Sequence, residues 1–469
     1  MRRIKIRYGI LILAILVLLG SLLVMTGCPA PLNFSGVRNP NITLDGAGGA
    51  KVTYQINEGE TRTTYVQRLE PQGEALWGKK GITLYSEPGP DEGVGVSALL
   101  VNSDDESTIL VWEQTNSIWA QKLDTEGRFL WGSGNVRIAD GTYKLKVASD
   151  SSGGVIMAWS DSYDNLYLQR IGSQGNLLWT IGSPVGQAGF FDISGDSSGN
   201  TFVIWEDKDF NVFVQKLDFI GELPWPPGGL LISDVHGPGV GMNSIISDGA
   251  GGAIAAWIYE IRDERKIGMT GHELYAQRIS AEGKTIWKTG GVPIRILLQE
   301  QRNTMPYEPQ MVSDDSGGAF ILWKEHMSIY AQRIDTTGKS LWAQSGIEVW
   351  EGGGSPRSPY FSVENDCCGG AIVVWNYIEK GKRSDQSPDL CAQRLDVSGR
   401  KLWSDNGILV TTTSQGYLTP ALISPDGYGG AIFSWAAGKN MHNAGSSYVQ
   451  RISAEGNPLW GEEGIRLDP

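Results

Sequence analysis

The sequence predicts an all-β protein: eight four-stranded antiparallel blades closed into a ring, the arrangement of a β-propeller. Three observations carry that reading. One segment is written eight times, its glutamine falling at Gln67, Gln121, Gln169, Gln215, Gln277, Gln332, Gln393 and Gln450, always with a glycine six residues later and a tryptophan ten residues later. Insertions separate these segments and never interrupt them, so each is a fixed structural unit. The 469 residues include 62 glycines and only 19% charged residues, distributed among short apolar runs bounded by turn residues. No stretch has the period of a long amphipathic helix.

The first element stands apart from the repeats. A basic head (Arg2, Arg3, Lys5, Arg7) precedes an apolar run from Gly9 to Met25 and then Thr26-Gly27-Cys28, the layout of a secretory signal. Small residues immediately before a cysteine resemble the lipobox of bacterial lipoproteins. That resemblance implies cleavage before Cys28, a diacylglyceryl thioether on its sulfur, and a bacterial cell-envelope protein lipid-anchored to a membrane outside the cytoplasm. The expected organisation is then 1–27 lipoprotein signal peptide, 28–40 lipidated cysteine and linker, and 41–469 propeller. An uncleaved N-terminal anchor is the alternative, since roughly 17 apolar residues is the lower edge of a spanning helix. Loss of the four basic residues would shift the formal charge from −13 to −17. A surface this acidic disfavours nucleic acid and anionic lipid.

Within a repeat, a short apolar strand such as "PQMVSD" runs into an Asp-x-x-Gly-Gly turn, with the aspartate at Asp45, Asp150, Asp196, Asp248, Asp314, Asp366 and Asp426 and Ser103 in the second copy. Aspartate can bond backbone amides there, and glycine can take positive φ. The second strand, typified by "GGAIAAW", ends on Trp112, Trp159, Trp205, Trp257, Trp323, Trp375 or Trp435, with Tyr54 in the first copy. "YAQRI" is the third strand, an Asp/Ser-x-x-Gly turn follows, and "KSLW" is expected to begin the fourth. Radial closure of such units leaves few exposed sheet edges, which favours a propeller over a linear solenoid.

Eight tryptophans close the repeated segment: Trp77, Trp131, Trp179, Trp225, Trp287, Trp342, Trp403 and Trp460. Packing between blades is the expected role of so large a side chain in every unit. Only Trp350 falls outside the two tryptophan series and the third-strand aromatic position. The run "DTTGKSLW" at Asp335–Trp342 resembles the tryptophan-docking repeats of eight-bladed quinoprotein propellers, a superfamily that includes pyrroloquinoline-quinone alcohol dehydrogenases and a propeller lipoprotein of the outer-membrane barrel-assembly machinery. The resemblance implies that each tryptophan packs on the backbone of the next blade. It is specific only at the glycine and tryptophan: this chain has glutamine where that family has alanine ten residues before the tryptophan. Kinship of architecture follows, not of activity. Quinone dehydrogenases carry a vicinal disulfide, but Cys367-Cys368 here fills the variable places of an Asp-x-x-Gly-Gly turn, and no cofactor is expected.

No catalytic constellation is legible. The eight glutamines and the basic residues after them repeat too regularly for a site that needs unlike residues at one point; they are expected to make blade-to-blade hydrogen bonds. Most Asp-x-x-Gly turns offer one carboxylate, too few for calcium. His236, His272, His326 and His442 lie in expected loops without metal-ligand spacing, so no metal site is expected. Asymmetry is confined to one end: the second-strand tryptophan and the glutamine are 9 or 10 residues apart in copies two, three, four and six, but 20, 18 and 15 apart in copies five, seven and eight. Insertions of this kind commonly build a binding surface. The expected function is a non-catalytic, membrane-anchored scaffold binding a protein or polysaccharide of the envelope through the loops of blades five, seven and eight. The alternative is a propeller enzyme, quinone-dependent or glycan-acting, with a site on the axis.

Overall fold

The structure, a computed structural model, describes residues 40–88, 98–103, 106–141, 144–179, 186–233, 239–261, 271–296, 306–352, 360–377, 389–411, 417–419, 421–440 and 443–468. Eight antiparallel sheets follow one another along the chain, each pairing its strands in sequence order. Blade 1 is Asn41–Leu44, Ala50–Glu58, Thr61–Leu69 and Ile82–Pro88; in blade 8 the first strand is split into Tyr417–Leu418 and Leu422–Pro425. The first strands of successive blades touch all the way round. The ring closes where Ser434 of blade 8 donates its hydroxyl to the Pro40 carbonyl at 2.8 Å.

Among the described residues the apolar side chains form eight clusters, each shared by two neighbouring blades, the one that closes the ring joining Ile42, Val52 and Tyr54 to Leu422, Ile432 and Trp460. The second strands are buried on both faces, which is why they read as unbroken apolar runs such as Val155–Trp159. In seven blades the aromatic of the second strand has an aromatic partner directly opposite on the third: Trp159 faces Tyr167, Trp323 faces Tyr330 and Trp435 faces Tyr448, for example. In blade 7 that partner is Cys391.

Blade 7 explains the leftover tryptophan. Trp350, on the last strand of blade 6 (Ile347–Trp350), is only 8% exposed and its ring lies 6.0 Å from Trp375. The aromatic that the small Cys391 fails to supply thus comes from the neighbouring blade. Cys367, Cys368 and Cys391 are free thiols, and burial pushes the Cys391 thiol up to about 12.

A second departure concerns the repeated tryptophans. They do not begin the fourth strand. A single bridge such as Ile334 to Ser340 prolongs the hairpin, and the fourth strand starts five residues beyond Trp342, at Ile347. The glutamine is the reason: Gln332 Oε1 accepts from the backbone N–H of Trp342 and of Arg333, while its Nε2 donates to the Ala343 carbonyl. Its side chain stands in for the missing stretch of ladder. These bonds recur in the other copies and lie within one blade, so the glutamines brace each hairpin and do not join blades.

Candidate functional site

The first-to-second and third-to-fourth turns share one end of every blade. In blade 6, Asp314 Oδ1 accepts from the N–H groups of Ser316 and Gly318, the Asx cap its turn requires, and Oδ2 receives Arg333. The Arg333 guanidinium and the Trp342 indole both donate to the Val397 carbonyl in the next blade's turn. Gly399 ends that turn at φ +82°, and a Cβ there would come within 2.9 Å of the Trp342 ring, so only glycine fits beneath the indole. All eight repeated tryptophans donate to the corresponding carbonyl, Trp460 closing the ring on Pro71. In the two lysine copies, Lys122 and Lys216 reach Gly153 and Gly251 carbonyls instead. The arginine or lysine and the tryptophan of the repeat are thereby used to hold blade to blade, while the aspartate and glutamine brace their own hairpins.

The opposite end differs from blade to blade. There, in five blades, the last residues of the fourth strand are displaced by a register shift and reach toward the following blade. The position is equivalent in five blades, set by pairing to the residue three before the glutamine: Tyr85, Ala139, Arg295, Trp350 and Thr411. Tyr85 stacks on Trp112 with ring centroids 5.5 Å apart. Arg295 forks Glu325 through Nε at 2.8 Å and Nη2 at 2.7 Å, and Glu325 also accepts from Trp323 Nε1. Hydrogen bonding to Glu325 holds the Arg295 guanidinium firmly protonated against the opposing effect of burial.

Ala139 brings only a methyl group to its seam. Between blades 2 and 3 a cleft of about 470 Å³ remains, lined by Ala139, Asp140, Trp159, Asp161, Tyr163 and Tyr167, within the size range of small-ligand sites. Tyr163 is 78% exposed at its mouth, while Trp159 and Tyr167 are stacked 5.7 Å apart at its base. Asp161 Oδ1 caps its own turn through the N–H groups of Tyr163 and Asn165; Oδ2 accepts from Asn165 Nδ2 at 2.8 Å and, more loosely, from Tyr167 Oη at 3.2 Å. Burial opposes ionisation of Asp161, but these hydrogen bonds outweigh it and hold the carboxyl below the usual range. At the next seam the Gly186 backbone closes on Trp205, where a Cβ would meet the indole at 2.7 Å, so that no equivalent space opens.

Of the residues singled out in the sequence, Cys28 and the midparts of the insertions in blades 5, 7 and 8 (262–270, 378–388, 441–442) lie outside the described residues, as do His236 and His442. His272 is not in a loop. It is buried on the strand Gly271–Ile279, edge-on to Tyr307, beside a Glu273 whose Oε2 accepts from the hydroxyls of both Tyr259 and Tyr275. Among the described residues no cluster of three metal-ligating side chains occurs and no helix is long and apolar enough to cross a membrane. Sequence reading missed Ala139, Asp161, Arg295 and Glu325. The signal was present in the residue two after the second-strand tryptophan, Asp161 in one copy and Glu325 in another, but it has meaning only beside the fourth strand that faces it.

No family model matches the chain, and no curated protein matches it. Among solved structures it resembles a polysaccharide lyase of an ulvan lyase family bound to a sulfated disaccharide repeat (10% identity, 92% of this chain and 97% of the other, TM-score 0.44). It also resembles a protein from Lactobacillus plantarum (11% identity, 86% and 92%, TM-score 0.37) and a prolyl endopeptidase, of which it spans 55% (11% identity, 86% of this chain, TM-score 0.45).

Proposed function

We propose that this protein is a membrane-anchored extracytoplasmic scaffold that captures a protein or envelope polymer on its loop-bearing end, without catalysis. The observation that carries the reading is the contrast between the two ends. At the turn end the repeated arginine and tryptophan side chains latch the ring and the aspartate and glutamine brace the hairpins that carry them, as in Arg333, Trp342, Asp314 and Gln332. At the other end the copies diverge in hairpin length and in what fills each seam. Divergent loops on a rigid scaffold are where binding residues concentrate. Anchoring rests on the lipobox-like Thr26-Gly27-Cys28.

Two experiments test it. Shortening the insertions 258–274, 376–390 and 436–447 to the hairpin length of blades 2, 3, 4 and 6 leaves the fold intact and abolishes crosslinked capture of the partner from native membranes; identical capture by both chains sinks the proposal. Cys28→Ser moves the protein from the membrane fraction to the soluble one, and unchanged fractionation refutes lipid anchoring.

A further inference from the structure

We infer that the cleft between blades 2 and 3 binds the guanidinium of an arginine side chain presented by another polypeptide, an assignment that deepens the scaffold reading above and rests on it. The chain supplies its own template for this site three seams away. Between blades 5 and 6, the second-strand tryptophan (Trp323), the third-strand tyrosine (Tyr330) and a carboxylate two residues after the tryptophan (Glu325) surround a guanidinium, that of Arg295. Between blades 2 and 3 the same three places hold Trp159, Tyr167 and Asp161, and the place of Arg295 is taken by Ala139. The receptor is kept and its internal occupant is removed.

Chemistry favours a guanidinium over other occupants. A planar guanidinium stacks on aromatic faces while donating N–H groups from its edge, whereas an ammonium is a compact, strongly hydrated point charge. Asp161 Oδ1 is committed to its turn and Oδ2 accepts from Asn165 Nδ2 at 2.8 Å, but the longer bond to Oδ2 from Tyr167 Oη, at 3.2 Å, is one that a single incoming N–H can replace. Tyr163 and Tyr167 supply aromatic surface beside it, and a cation there gains from their rings. The Arg137 guanidinium is already engaged: it pairs with Asp140, which lines the cleft, and lies over Trp119 at 5.9 Å. Among the described residues no cation is paired with Asp161. The acidic balance of the whole chain, −13, draws basic partners to it.

The test is isothermal titration of the full-length chain in detergent micelles with a capped Gly-Arg-Gly peptide, and with the isosteric citrulline and the lysine peptides. Ala139→Arg supplies the occupant that blade 5 provides for itself, and Ala139→Tyr copies the filling seen at Tyr85; unchanged thermal unfolding shows that either variant is folded. The arginine peptide is expected to bind at least tenfold more tightly than the citrulline or lysine peptides, and both variants are expected to lose that binding at least tenfold. No binding of the arginine peptide, equal binding of the three peptides, or full binding by both variants overturns the inference. Partner capture that survives Ala139→Tyr but is lost with the three insertions overturns it too, while leaving the scaffold itself standing; capture that survives both changes overturns both.

Discussion

The two ends of this ring are built from the same strands and obey opposite rules. At the turn end, each blade repeats one set of contacts, and six of the eight pair an aspartate such as Asp150 with an arginine such as Arg170, both almost wholly buried. At the loop end, the position facing the next blade's aromatic is Tyr85, Ala139, Arg295, Trp350 or Thr411. Sheets pack blade against blade through their centres, so the ring needs only one end latched. The other end is free to vary, and there a single substitution to alanine opens a cleft while the fold is retained.

The sharpest way to break this comparison is to remove one buried charge from the latch. Asp150→Ala leaves the Arg170 guanidinium buried beside an uncapped turn, and the expected loss is about 4 kcal/mol, the scale for breaking a buried pair, read from urea unfolding. A loss below that of an exposed pair would remove the turn end from its structural role. Trp350→Ala is expected to destabilise by about 3 kcal/mol, as deletion of a large core aromatic does, because its ring fills the space beside Trp375; a near-neutral result would mean that the loop-end seams carry no packing. Gln332→Leu orphans the N–H groups of Trp342 and Arg333 and the Ala343 carbonyl, and about 2 kcal/mol is expected from unsatisfied backbone groups. The smallest effect belongs to the cleft. Tyr163→Ser, at an exposed loop position, is expected to leave stability within about 0.5 kcal/mol of the parent while weakening peptide binding, and equal losses of both would make Tyr163 a structural residue.

How much of this was legible beforehand follows the same division. Eight invariant spacings from glutamine to glycine to tryptophan sufficed for the propeller, its blade count and the aspartate-capped turns, because a contact repeated in every blade leaves a periodic trace. The trace showed that glutamine mattered and not what it bonded; its hydrogen bonds run along its own hairpin and stand in for the ladder before the tryptophan. Trp350 had no counterpart tryptophan in the other copies, and nothing within its own repeat shows that its ring lies against Trp375 of the next blade, where Cys391 is small. Ala139 gave no signal at all: an alanine is informative only once Trp159, Tyr167 and Asp161 are seen to face it.

The sequence by itself therefore determined the element order, the eightfold repetition and the end at which the copies diverge, since these depend on local spacing and turn chemistry. Only the tertiary structure decided which residue of one blade meets which residue of the next. Those pairs lie tens of residues apart, at a variable fourth-strand position whose side chains are turned toward the neighbouring blade by a register shift, and no periodicity within a single repeat encodes them.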